Sequence, residues 1–247
     1  MSHARRRTAP ARLSLAQALF SQGFGTRREV EALLAAGEVC LHGAVVREGG
    51  LELDPAGLVL GVSGQDWPYH ERALVLLHKP AGYECSARPS AWPGVLTLLP
   101  PPLRRRGLQP VGRLDQDTTG VLLLTDDGAL IHRLTSPRHH VPKTYEVSTA
   151  RPVEPGQLQA LREGVVLRDD PRPVRVAHVR QTGTQALQLV LTEGRYHQVR
   201  RMVAATGNHV QALHRSAFGP VTLPPGLAPG QWCWVDPGAL ETAGQPR

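Results

Sequence analysis

The hydrophobic pattern opens with two short helical repeats. Ser14 followed by Gln17 is a capping-box signature, Leu15, Leu19 and Phe20 form an apolar face, and Gly23 ends the segment. The pattern restarts at Thr26 with Glu29 in the box position, runs through Val30, Leu33 and Leu34, and stops at Gly37. Short β-rich pieces follow at Val39–Leu41, Val45-Val46 and Leu58–Leu60, with a His42-Gly43 turn between the first two. Residues 12–60 are therefore expected to form a small α-turn-α unit backed by strands. Gly61 to Arg72, rich in Gly, Ser, Gln, Asp and Pro, reads as a linker. Residues 1–11, with Arg5-Arg6-Arg7 beside Pro10, read as a basic disordered arm, and 241–247 as a tail.

A second domain is expected over 73–240. Ala73–Leu77 and Val121–Leu124 are apolar runs that read as buried strands. Lys143–Val147 and Leu187–Leu191 alternate as strands do. Helical spacing is found over Ala129–Leu134, over Glu154–Glu163 before Gly164, and at Val199, Met202, Val203 and Thr206 before Gly207. Pro89 to Arg106, Pro-rich and ending in Arg104-Arg105-Arg106, reads as a loop. Strands and helices interleave without a β-α-β rhythm, which predicts an α+β fold on a mixed, largely antiparallel sheet.

Composition narrows the functional classes. The 247 residues suffice for a sizeable core, with 41% hydrophobic and 20% charged residues. No apolar run approaches the ~20 residues that span a bilayer, so no membrane partner is expected. Met1–Arg7 is basic without a signal-peptide core behind it, and helix signals beginning at Ser14 argue against a transit peptide. Cys40, Cys85 and Cys233 are far apart and show no metal or disulfide spacing, which suits a reducing cytoplasm. A net charge of +7, carried mostly by Arg, points to a polyanionic partner.

Three constellations could carry chemistry. Gly112-Arg113-Leu114-Asp115-Gln116-Asp117-Thr118-Thr119-Gly120 places an Arg and two Asp in a turn before a buried strand. Such a turn either presents a carboxylate at a sheet rim or merely uses Asp, Thr and Gly for their turn chemistry. His197, Arg200 and Arg201 fall at i, i+3, i+4 on one helix face, and with the helix dipole make an anion site. Arg27 and Arg28 sit in the first turn of the second helix, where a cation is disfavoured by ~0.3–1 kcal/mol unless a phosphate is bound or the side chains reach into water. His132, His139 and His140 lack a further ligand at metal spacing, and no phosphate-binding glycine loop is present.

Arg113-Leu114-Asp115 with Asp117-Thr118-Thr119-Gly120 resembles the catalytic motif of RNA pseudouridine synthases, with Asp115 on the catalytic aspartate. His78-Lys79-Pro80-Ala81-Gly82 resembles the family's first motif, and Glu193 to Met202 its third. Phe24 to Glu29, Leu33-Leu34, Gly37, Val39 and His42-Gly43 resemble an S4 RNA-binding domain, which usually carries Asn-Gly where this chain has His42-Gly43. Thr135 to His140, Lys143-Thr144-Tyr145, Tyr196-His197-Gln198 and Gly207 to Val210 resemble most the RsuA-type, small-subunit branch. Arg200 departs from that branch, which often has Lys there.

The resemblance implies a monomeric, cytoplasmic isomerase that converts a uridine of 16S rRNA, within an assembling small subunit, to pseudouridine without metal or organic cofactor. It implies that Asp115 is the essential carboxylate, that Tyr145 stacks on the uracil and that Arg200 pairs with Asp115. RNA contacts are expected from Arg27, Arg28, Lys79, Arg113, Arg195, His197 and Arg201. A 23S rRNA target, a non-catalytic S4-type RNA-binding protein, and a glycoside hydrolase pairing Asp115 with Asp117 or Asp126 are the alternatives.

Overall fold

The computed structural model describes residues 12–168 and 170–240; the basic arm and the tail expected from sequence lie outside them. Its contacts divide the chain into two units, Met1–Arg72 with Leu99–Leu108, and Ala73–Leu98 with Gln109–Arg247.

In the first unit both expected helices form, each with the reciprocal capping box. These are α1 (Leu15–Ser21), capped by Ser14 and Gln17, and α2 (Arg27–Ala36), capped by Thr26 and Glu29 and closed by Gly37 at φ 76°. They bury Leu15, Ala18, Leu19, Val30 and Leu34. A four-stranded antiparallel sheet runs in the order Ala44–Val45, Val39–Leu41, Val59–Val62, Gln65–Pro68.

The stretch read as a linker is mostly a hairpin. Ser63 and Gly64 both have positive φ (49° and 76°), which is what a two-residue turn matching strand twist requires. Glycine and serine there mark that turn, not a flexible tether. Trp67 on the returning strand is buried, its ring centroid 5.2 Å from that of Phe24. The expected loop Pro89–Arg106 also differs, since Pro101–Arg105 forms helix α3, opened by proline at its first positions. Arg105 pairs with Glu29 at 3.2 Å, and Arg106 donates to Gln22 Oε1 (2.7 Å) and to the His70 carbonyl (2.9 Å).

The second unit is built on a nine-stranded sheet. Its main strands are β1 (Leu74–Lys79), β2 (Thr119–Thr125), β3 (Lys143–Thr149), β4 (His178–Gly183), β5 (Ala186–Leu191), β6 (Val210–Phe218) and β7 (Trp232–Trp234), in the order β4-β5-β3-β6-β2-β1-β7. Every pairing along that path is antiparallel except β6 with β2. This is the mixed, largely antiparallel sheet of an α+β fold. Helices α4 (Gly128–Thr135), α5 (Pro155–Glu163) and α6 (Gln198–Ala205) complete the unit. One core joins Val147, Leu161, Leu187, Leu189, Met202 and Val203, and another joins Leu74, Val121, Leu123, Leu134 and Phe218.

Two backbone details aim side chains at one face of this sheet. At Gly120 (φ 110°) an added Cβ would lie 2.2 Å from the Arg215 carbonyl, so only glycine lets β2 and β6 run so close. On β6 the register slips by one, with Lys143 opposite Phe218 but Tyr145 opposite Arg215. That bulge lets Arg215 and Phe218, three residues apart, line one cavity although strict alternation would part them.

Candidate active site

A cavity of about 440 Å³ opens over β3 and β6, and Asp115, Arg113, Tyr145, Lys143, His197 and Arg215 are among the residues that line it. Asp115 begins a hydrogen-bonded turn in which the Thr118 N–H donates to the Asp115 carbonyl at 3.1 Å. The turn is gripped from the end of β1. The Gly82 N–H donates to the Gln116 carbonyl (2.8 Å), and Lys79 Nζ donates to the carbonyls of Pro80 (3.0 Å), Gln116 (3.1 Å) and Thr118 (2.8 Å).

The Asp115 carboxylate faces two basic groups. His197 Nε2 lies 3.3 Å from Oδ1, and Arg200 Nε lies 3.7 Å from Oδ2. Arg200 also reaches Asp117 Oδ2, at 2.8 Å. His197 is the cap of α6 and has a left-handed backbone (φ 46°, ψ 35°), uncommon outside glycine and typical of a residue aimed by its surroundings. The sequence placed it inside the helix on one face with Arg200; instead the preceding turn delivers it. Its ring stacks on the exposed Tyr196 at a centroid distance of 3.8 Å.

A family model described as RNA pseudouridylate synthase matches residues 73–205, which contain the whole carboxylate turn, Tyr145 and Arg200. An RNA pseudouridine synthase of Bacillus subtilis (strain 168), itself uncharacterised, is 36% identical over 238 residues, covering 95% of this chain and all of the relative. The ribosomal small subunit pseudouridine synthase A of Escherichia coli (strain K12) is 40% identical over 194 residues, covering 78% of this chain and 84% of that one. The chain belongs to the RNA pseudouridylate synthase family. A crystal structure of a pseudouridylate synthase, 34% identical, superposes with a TM-score of 0.65 and covers 93% of this chain and 98% of that one.

In this synthase Asp115, Tyr145, Arg113, Arg195 and His197 line one cavity, whereas Arg200 touches the Asp115 carboxylate without lining it. Arg113 is exposed and Tyr145 half-buried. Arg195 pairs with Asp170 Oδ2 (2.5 Å) and Glu193 Oε1 (3.3 Å), and Arg201 donates to the Tyr196 carbonyl (3.1 Å). Arg27 and Arg28 are exposed on the first turn of α2, in the other unit.

Lys79 corrects the sequence reading. It is fully buried and its ammonium serves three carbonyls, so it holds the turn and does not meet RNA. Burial pushes its pKa down, against the pull of Cys85, Asp117 and Asp115. Asp126 caps the Ala73 N–H at 2.8 Å, a structural task that weakens the paired-carboxylate alternative. Sequence reasoning passed over Lys143 and Arg215 as cavity groups. Lys143 shows as the first residue of an alternating strand and of the Lys143-Thr144-Tyr145 motif, without a role of its own, and Arg215 lies in a stretch with no clear period.

Proposed function

We propose that this synthase isomerises one uridine of ribosomal RNA to pseudouridine, with small-subunit 16S rRNA in an assembling subunit as substrate. It acts as a cytoplasmic monomer without metal or organic cofactor. The observation that carries the reading is the Asp115 carboxylate, held by a clamped turn at a cavity of about 440 Å³ and flanked by His197 and Arg200. Asp115 serves the ribose as the N1–C1′ bond breaks, by bonding to C1′ or by taking a ribose proton. Arg200 and His197 flank that carboxylate, at 3.7 and 3.3 Å. Tyr145 stacks on the extruded uracil, and Arg113 at the rim helps hold the base out of its helix.

The first unit serves as an S4-type RNA-binding domain. Exposed Arg27 and Arg28 beside the amino terminus of α2 suit phosphate. The 16S choice is supported by likeness to relatives named for the small ribosomal subunit and by the branch motifs around Tyr196-His197-Gln198.

Deleting the gene and mapping pseudouridines in both rRNAs by carbodiimide-dependent reverse-transcription stops tests this. One stop is expected to vanish from 16S rRNA, and the purified protein is expected to release tritium from 5-tritiated uridine in that RNA. A stop lost from 23S rRNA alone would move the substrate and keep the enzyme class; no lost stop and no tritium release would remove both.

A further inference from the structure

Two buried cations on the cavity wall take no part in the carboxylate arrangement. Lys143 and Arg215 are 8% and 2% exposed and lie on the adjacent strands β3 and β6. They flank one ring, with Lys143 Nζ 5.5 Å and Arg215 Cζ 5.3 Å from the Phe218 centroid. Like charges buried together are costly and are ordinarily matched by carboxylates. Here neither forms an ion pair with a described carboxylate. Asp115 is engaged by His197 and Arg200, and Glu193 by Arg195 and Gln198.

Their hydrogen-bonding capacity is also only partly spent. Lys143 Nζ makes no hydrogen bond to a described residue. Arg215 donates through Nε to the Val121 carbonyl (2.8 Å), while its Nη2 is buried with no partner. Unpartnered donors of this kind, lining a cavity, call for acceptor oxygens from a ligand. The neighbouring Tyr145, opposite Arg215 in register, offers a flat ring to the same space. A planar group with carbonyl oxygens meets both demands.

Resting on the pseudouridine synthase reading, we propose that Lys143 and Arg215 seat the carbonyl oxygens of the target uracil and hold the base as an anion while it is detached from the ribose. When the N1–C1′ bond breaks, both bonding electrons leave with the base, giving a uracil monoanion with charge shared over N1, O2 and O4. The ribose carbon is satisfied by the Asp115 carboxylate, through a new bond to C1′ or by loss of a ribose proton to it. C5 of the turned base then supplies the pair for the new bond to C1′, and Asp115 is released or returns its proton. The C5 proton departs and N1 gains one, so product and substrate have the same atoms and charge. The two cations act on the stage at which the base is charged and unattached.

The test uses the full chain and two rRNA transcripts, one with uridine and one with 5-fluorouridine, whose base carries negative charge more easily. Single-turnover loss of the target nucleoside is followed by mass spectrometry. Lys143→Met is expected to slow uridine conversion by roughly 10²–10³-fold, with RNA affinity changed little, and Lys143→Arg to recover part of the rate. On the 5-fluorouridine transcript the Lys143→Met deficit is expected to shrink by about tenfold or more. Equal deficits on the two transcripts, or a wild-type rate in Lys143→Met, would overturn the proposal and leave the function standing. A wild-type protein that converts no uridine in either rRNA would overturn the function and the proposal with it.

Discussion

Arg200 grips Asp117 at 2.8 Å and approaches Asp115 only to 3.7 Å. From sequence Asp117 is a turn former and Arg200 the partner of Asp115 alone. The geometry makes Asp117 the anchor that sets where the guanidinium stands. Asp117→Ala is therefore expected to lower kcat by roughly 10–100-fold while RNA affinity holds, and Asp115→Asn to abolish turnover because it cannot form the anion. Tritium release with a filter-binding control separates these outcomes. An Asp117→Ala protein of full activity would show that Arg200 needs no anchor.

Lys79→Met leaves the carbonyls of Pro80, Gln116 and Thr118 without their donor. A loss of about 3 kcal/mol in urea unfolding is expected, with the salt dependence of RNA binding unchanged in the folded protein. A flatter salt slope would instead make Lys79 a phosphate contact.

Lys143 is brought down to about 8 from its ordinary 10.5, first by burial and then by Arg215. Below pH 8 it is charged in both folded and unfolded chains, and the folded protein bears the full cost of burying it. Between pH 8 and 10.5 the unfolded chain holds a proton that the native state has released, so stability rises with pH in that window. Lys143→Met removes this cost and is expected to stabilise the fold by up to about 3 kcal/mol at pH 7, with the advantage gone near pH 10.5. Urea denaturation at the two pH values measures it, and a pH-independent difference would contradict the assignment.

Gly120→Ala would drive its methyl to 2.2 Å from the Arg215 carbonyl at a φ of 110°. Separation of β2 from β6 is expected to cost 2 kcal/mol or more, within the roughly 1–3 kcal/mol scale of such backbone strain plus lost pairing. Thermal unfolding gives the number. A variant with unaltered Tm would mean that the strands part without penalty.

What the sequence disclosed followed from whether a residue's environment is local. Ser14 and Gln17, or Thr26 and Glu29, complete their caps within one turn of chain, and both boxes form as expected. Val121–Leu124 reads as a strand because burial on both faces leaves an unbroken apolar run. Val210–Phe218 escaped notice because buried Leu213 and Arg215 alternate with polar His214 and Ser216, and the bulge then breaks the period. Lys79 was misread for a related reason. A lysine at the end of a strand looks exposed until the carbonyls of a turn some forty residues away close over it. His197 reads from sequence as an RNA contact on a helix face with Arg200, not as a neighbour of Asp115, since nothing in Tyr196-His197-Gln198 announces a left-handed cap.

The capture of residues 99–108 by the first unit has a bearing on heredity. Leu99, Leu103 and Leu108 are buried, and Arg105 and Arg106 are committed to Glu29, Gln22 and His70. A single crossover after Arg72 would therefore not yield two interchangeable modules. The donated front half would lack a helix it packs around, and the remainder would carry three stranded leucines and two unmatched guanidinium groups. Recombination that exchanges the RNA-binding part among relatives must cut at three points or carry the Pro101–Arg105 helix along, so the two units are expected to have descended together.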